Sequence, residues 1–395
     1  MGKVNKRLGV ISSGIQTPII RQGDDLIKIV INSVSAFNGG DFHDGDVIAV
    51  TEAVVAIAQG NFATYQNIST DIANKFKGAK QLVVVDPIQS RNRFMDVLKA
   101  IASTPTLEKI HICMTWPADE VGNPLITDSM AVAKSGINPY TAILTVEEFY
   151  KAFGEPKHPF TGKNYIEEYL NACNGKANII LCNNFAKVKE ATGCNEFLIA
   201  SIHRRNQTRK YLEEAGANRI YDLSEIMNTS INGSGYSPEY GVYGSNLMNG
   251  GKLKLMPRNG DVFVNEVQRV IYERFGKKVE VMIFGDGAFK DPVGGIWELA
   301  DPTTTIAATD GLEGTPEEVK LKYIASACEG MTAEEIEAVV VSESAKRKQS
   351  NSIDNQASLG TTPRRIVDLL ASLSDLTTGS GDRQTPVVYI QNYLT

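Results

Sequence analysis

The chain lacks the marks of several large protein classes. Nowhere in its 395 residues does an apolar run approach the ~20 residues of a membrane span. Its five cysteines (Cys113, Cys173, Cys182, Cys194 and Cys328) are odd in number and form no C-x-x-C pair, which speaks against a zinc site and a disulfide framework. Cys113 and Cys182 stand in apolar, strand-like runs and are expected as buried thiols. There is no basic excess, the net charge being -6, so nucleic acid is not an expected partner. The four histidines are scattered; His203, beside Arg204 and Arg205, reads as a structural or anion-contacting residue rather than a general base. The P-loop pattern, the G-x-G-x-x-G fingerprint after a strand and the G-x-S-x-G elbow are all missing. That argues against the common nucleotide folds and serine hydrolases, but not against nucleotide binding, since backbone amides of glycine loops cradle phosphates in any fold. The N-terminal residues hold no apolar run long enough for a signal peptide, and a cytoplasmic protein without membrane partners is expected.

What is present is an average globular composition, 42% hydrophobic and 22% charged, in a chain long enough for two or three domains or one elaborated domain. Apolar spacing predicts a helix from Asp24 to Ala36, and a strand or strand pair over Val47–Ala58. A strand at Leu82–Val85, a helix striped by Phe94, Val97, Leu98 and Ile101, and a strand at Ile110–Met114 make one βαβ unit. A second α/β module follows, with strands at Asn178–Cys182, Phe197–Ile202 and Arg219–Leu223 and helices at Phe185–Thr192 and Gln207–Ala215. Asn232–Asn246 holds four glycines and three tyrosines and reads as a binding loop or an irregular crossing. A helix over Asp261–Phe275, closed by Gly276, feeds the strand from Val279. Another helix is expected at Pro316–Ala327. The final one has Thr362 as N-cap, Pro363 at its first position and Ile366, Leu369, Leu370 and Leu373 inward. The expected class is mixed α/β or α+β. The expected divisions are residues 1–140, an inserted α/β module at 141–230, and residues 231–395 carrying the site.

Val279–Pro302 is the most informative stretch. Its strand breaks at Gly285-Asp286-Gly287, and a carboxylate at a strand end between glycines suits a magnesium-binding position, or else a plain hairpin turn. Gly285–Gly295, Asn232–Asn246 and Gly379–Asp382 are three glycine-rich polar loops in one half of the chain.

Two segments, one near the N-terminus and one near the middle of the chain, carry a resemblance to the coenzyme F-420:glutamate ligase family. Gly23-Asp24-Asp25-Leu26 and Asp44–Glu52 look like that family's G-D-D-L and D-G-D-[IV]-[LV]-V-[IV]-T-Q segments, and Gly60 matches a closing glycine. Gly244-Ser245-Asn246, Leu255-Met256-Pro257, the helix from Asp261 and Val281–Asp286 follow the order of its later motifs. The chain is similar to a longer bacterial branch. The resemblance implies a core of mixed and antiparallel sheets, GTP or ATP as co-substrate, Mg²⁺ or Mn²⁺, and a homodimer. It further implies γ-glutamyl amide formation through an acyl phosphate on a carboxylate acceptor, with glutamate as amine. A folate acceptor, or a non-catalytic nucleotide- or metabolite-binding protein on the same fold, are the alternatives.

Carried onto this chain, the resemblance places metal at Asp286, with Asn246 near a second ligand position; Asp291 and Asp382 join them as candidates. Lys290, Arg364 and Arg365 are the expected catalytic phosphate or carboxylate contacts. Thr51, Glu52, Ser234, Gly235, Tyr236, Gly285, Gly287, Gly379 and Gly381 are expected to line the nucleotide site. Two family lysines fall on Ala53 and Ile57, so both cations are lost there. The tail is expected to compensate by bringing Thr361–Arg365 beside the Asp286 loop, with the Gly379–Asp382 turn closing the pocket.

Overall fold

The structure, a computed structural model, describes residues 9–89, 94–159, 161–285, 303–314, 326, 328–342, 365–378 and 384–394. At 289–290, 297–298 and 343–349 it describes backbone alone. The expected helix at Pro316–Ala327 falls almost wholly outside these residues, as do Thr362 and Pro363.

Two sheets organise the chain. The first runs in the order β1 (Ile11–Ile15), β16 (Val387–Gln391), β2 (Val47–Thr51), β12 (Glu280–Phe284), β15 (Thr305–Ala308). Only the β2–β12 pair is parallel, so this is a mixed sheet. Both faces are covered, which is why Val47–Val50 and Glu280–Phe284 are buried without alternation. One face packs on the helices Leu26–Asn38 and Gly260–Phe275 through Val30, Val34, Val264, Val267 and Ile271. Leu370 and Ala371 of the helix Ile366–Thr378 cover the other face.

The second sheet has the order β6 (Ile143–Thr145), β7 (Ala177–Cys182), β5 (Lys109–Met114), β4 (Gln81–Val85), β8 (Glu196–Ile199), β9 (Arg219–Asp222). All its pairs are parallel except the edge pair of β6 with β7. From β4 the chain winds outward to β5 and β7, then restarts at β8 on the other side of β4. Phe94, Val97 and Leu98 pack on one face, and Phe185, Val188 and Leu212 on the other. This is a doubly wound sheet with its switch point between β4 and β8. It arises without a G-x-G-x-x-G loop, so the missing fingerprint did not exclude the architecture. Its strands come from both sides of residue 141. A small sheet of β10 (Asn246–Met248), β11 (Lys252–Lys254) and β3 (Phe62–Thr64), and a two-stranded pair of β13 (Phe289–Lys290) with β14 (Trp297–Glu298), complete the α+β fold.

Local readings held where punctuation was strong. Asp25 caps the first long helix by accepting from Lys28 N at 3.1 Å, and Gly39 ends it in the left-handed region at φ 66°. Phe185–Thr192 is a helix with the expected bounds, and Gly276 closes Gly260–Phe275. One expectation failed: Val47–Ala58 is a strand only to Thr51, and Glu52–Ala58 is a helix. Thr51 is the last extended residue, and Glu52, Val55 and Ala56 then fall on one buried helical face. The run of valines and alanines satisfies either period, and packing chose the helix. All five cysteines are free and buried.

Candidate functional site

The site region forms at one edge of the five-stranded sheet. β2 and β12 are parallel and in register, Thr51 standing opposite Phe284, so both end at this edge. β16 runs antiparallel to β2 and begins here, with Thr51 N donating to Pro386 O at 2.9 Å. Gly285, the last described residue before Asp286, donates to Thr304 O at 2.9 Å. Gln384, the first described residue after Asp382, accepts from Thr17 N at 3.2 Å. Asp286, Asp291, Gly287, Arg364, Gly379, Gly381 and Asp382 lie outside the described residues, and Lys290 is placed only as backbone on β13.

Arg365 is described. From just before the helix Ile366–Thr378, its guanidinium grips Asp368 of that helix, Nε to Oδ2 and Nη2 to Oδ1, both at 2.8 Å. Asp368 also accepts from Thr304 Oγ1 at 2.8 Å, so two side chains connect Arg365 to the strand end before Asp286. Burial works against ionisation of Asp368, but the bonds from Arg365 and Thr304 outweigh it and hold the carboxyl below its usual value.

Beside this edge sits a buried ion pair. Glu52 opens its helix and meets Lys254 Nζ from β11; the two residues are only 7% and 3% exposed. Asn246 stands directly opposite Lys254 in the β10–β11 pairing. Lys254 thus carries a cation to the first turn of the helix that holds Ala53 and Ile57, the positions without lysine. The second carboxylate oxygen, Glu52 Oε2, is buried and has no hydrogen-bond partner.

Asn61, fully buried, organises the loop beyond. Its Oδ1 accepts from Tyr236 N at 2.9 Å and Arg258 Nη1 at 2.6 Å, while Nδ2 donates to Met256 O at 2.7 Å. The Arg258 guanidinium lies 5.2 Å from the Tyr236 ring centroid. A Cβ on Gly235 would fall 2.5 Å from Phe62 N, so only glycine lets the loop pass this close to β3. Ser234 turns inward on its own loop, accepting from Ile231 N at 3.1 Å and donating to Gly235 O at 2.8 Å.

The structure therefore brings Thr51, Glu52 and Gly285 together at the ends of β2 and β12, with Asn246 opposite the Lys254 that reaches Glu52, and holds Gly235 and Tyr236 on the loop organised by Asn61. Lys254, Arg258 and Asn61 were not among the residues singled out from sequence. The only local signal was a pair of cations flanking Leu255-Met256-Pro257. Among the described residues no group of three or more histidine, cysteine, aspartate or glutamate side chains is placed to hold a metal. No described helix is long and apolar enough to cross a membrane.

The sequence profile of the F420-0:Gamma-glutamyl ligase family matches residues 14–392, nearly the whole chain. The chain belongs to this family. The match includes the six-stranded sheet as well as the segments that carried the resemblance, and the family is one of ligases. Among curated proteins none matches the chain.

Proposed function

We propose that this protein is a nucleotide- and metal-dependent γ-glutamyl ligase that works through an acyl phosphate. The observation carrying the proposal is the convergence of the β2 and β12 ends, which sets Thr51 and Glu52 beside the strand that leads into Asp286. In the reaction, an acceptor carboxylate takes the terminal phosphoryl group of GTP or ATP and releases the nucleoside diphosphate. The amine of glutamate then attacks the acyl carbon, forms the amide and expels phosphate. Such chemistry depends mainly on positioning and on neutralising charge.

Within that scheme Lys254 and Arg258 supply fixed cations near the site, in place of the lysines absent at Ala53 and Ile57. Tyr236 and Gly235, held by Asn61, wall the pocket. Thr51 and Glu52 set its floor, and Arg365 stands at its rim, its charge matched by Asp368 until an anion draws it away. The donor set for Mg²⁺ or Mn²⁺ is Asp286 and Asp291 with Asn246 and Asp382, all oxygen ligands of the kind hard cations take. The described residues fit this in one respect, the unpartnered buried oxygen of Glu52, whose partner Lys254 stands opposite Asn246. A bound cation would offset the negative charge of the nucleotide phosphates.

Hydroxylamine trapping tests the scheme. The protein, nucleotide, Mn²⁺ and a carboxylate acceptor without glutamate should yield a hydroxamate, and adding glutamate should divert it to amide. Nucleotide hydrolysis that needs no acceptor, with no hydroxamate formed, would count against the acyl phosphate.

A further inference from the structure

Arg258 is a fixed cation without a counter-charge. It follows the β11 strand that carries Lys254, and its backbone is clipped to the Gln59 side chain. Gln59 Nε2 donates to Arg258 O at 2.7 Å, and Arg258 N donates to Gln59 Oε1 at 3.1 Å. Its Nη1 donates to Asn61 Oδ1 at 2.6 Å, and the guanidinium lies 5.2 Å from the Tyr236 ring centroid. Neither of these partners is charged. The guanidiniums of Arg204, Arg209, Arg219, Arg269 and Arg365 each reach a carboxylate, whereas no carboxylate meets Arg258 among the described residues. The Arg258 side chain is half-buried, and its other N–H donors keep the planar fork that matches a carboxylate.

Its place narrows the anion it can hold. Gln59 closes the C-terminal end of the helix Glu52–Ala58, so Arg258 stands one short helix away from Thr51 and Glu52. A helix of 7 residues, at about 1.5 Å each, spans roughly 10 Å. That distance excludes the reacting carboxyl and phosphoryl groups, which in the ligase scheme belong at the strand ends before Asp286. Glutamate has a matching reach. Its side-chain carboxylate extends to roughly 5 Å from its nitrogen at standard bond lengths, and a charge-assisted hydrogen bond adds about 3 Å. The α-carboxylate, bonded to the same carbon as the nitrogen, falls short.

We propose that Arg258 is the specificity-determining residue for the amino-acid substrate, binding the side-chain carboxylate of glutamate. This role rests on the ligase reading above, in which glutamate supplies the amine. Asn61 and Tyr236 hold the guanidinium in one place before the substrate arrives, so little freedom is lost on binding. Glutamine, equal in shape but uncharged, leaves the cation unmatched and is refused on that ground.

Calorimetric titration of the full chain with L-glutamate and L-glutamine, with Mn²⁺ and a non-hydrolysable GTP analogue present, tests the idea. L-glutamate should bind roughly tenfold or more tightly than L-glutamine, as expected for one hydrogen-bonded charge pair. Arg258→Met should erase that ratio, and Arg258→Lys, which keeps the charge but loses the fork, should retain part of it. If Arg258→Met does not fold, Arg258→Gln, which can still donate to Asn61, takes its place. Equal binding of the two amino acids, binding of neither, or an unchanged ratio in the Met or Gln variant would overturn the proposal. Hydroxamate trapping with the wild type reports on the acyl phosphate alone. Its failure beside Arg258-dependent glutamate binding would sink the ligase scheme and leave this subsite standing; hydroxamate formed beside equal binding would do the reverse.

Discussion

Lys254→Met should be the most informative single change near the ligase site. It removes the cation from a pair whose members are 3% and 7% exposed, and leaves Glu52 with two buried oxygens and no partner where it now has one. Breaking a buried ion pair from one side costs roughly 3–5 kcal/mol, because the remaining charge is uncompensated. For a chain of 395 residues, unfolding entropy of about 2.1 cal/mol/K per residue turns this into a fall in Tm of roughly 4–6 °C. The double change Glu52→Leu with Lys254→Met replaces the pair by apolar side chains and should recover most of that loss. Urea unfolding of the wild type, both single variants and the double variant gives the coupling energy, expected at about 2 kcal/mol or more. Hydroxamate formation by the stable double variant then separates scaffold from chemistry: it should be lost although the fold is restored. A loss below about 1 kcal/mol in Lys254→Met with coupling near zero would refute the reasoning. Full activity in the double variant would remove Lys254 from the site.

Two further expectations follow from the buried polar groups. Asp86 holds its proton to about pH 7 in the folded chain against a usual 3.8, with burial as the main cause, Arg204 opposing it, and Glu120 and Asp119 adding to it. The native state therefore binds more protons between these values, so its contribution to stability is full below about pH 4 and lost as pH rises through 7. That is a change of roughly 4 kcal/mol, and Asp86→Asn should flatten the pH profile of urea unfolding across this window; an unchanged slope would contradict the assignment. Asn61→Ala frees Tyr236 N, Arg258 and Met256 O together, and should cost roughly 2–3 kcal/mol for the buried groups left unpaired. It should also raise KM for the nucleotide more than it lowers kcat; the opposite split in steady-state kinetics would mean that the Tyr236 loop does not line the site.

The sequence by itself determined what rests on neighbours along the chain. Asp25 before Leu26 and Gly39 after Asn38 bound a helix because a cap needs only the next few residues. Lys109–Met114 and Ala177–Cys182 are strands because short runs of apolar residues between turns fit a sheet covered on both faces. The family, too, was legible, since its segments lie at the ends of such elements. Tertiary structure decided the rest. Glu52 and Lys254 are 202 positions apart, Asn61 and Arg258 197, and Asp86 and Arg204 118, and nothing local announces any of these pairs. Glu52–Ala58 has a composition that strand and helix both accept; only packing, which buries Glu52, Val55 and Ala56 together, selects the helix. The cations near the site come from β11 and the residues beyond it, rather than from the helix where the resemblance looked for them. The order of winding around β4 that creates a switch point is likewise a property of which strands pair, and pairing is settled by the whole sheet rather than by any strand within it.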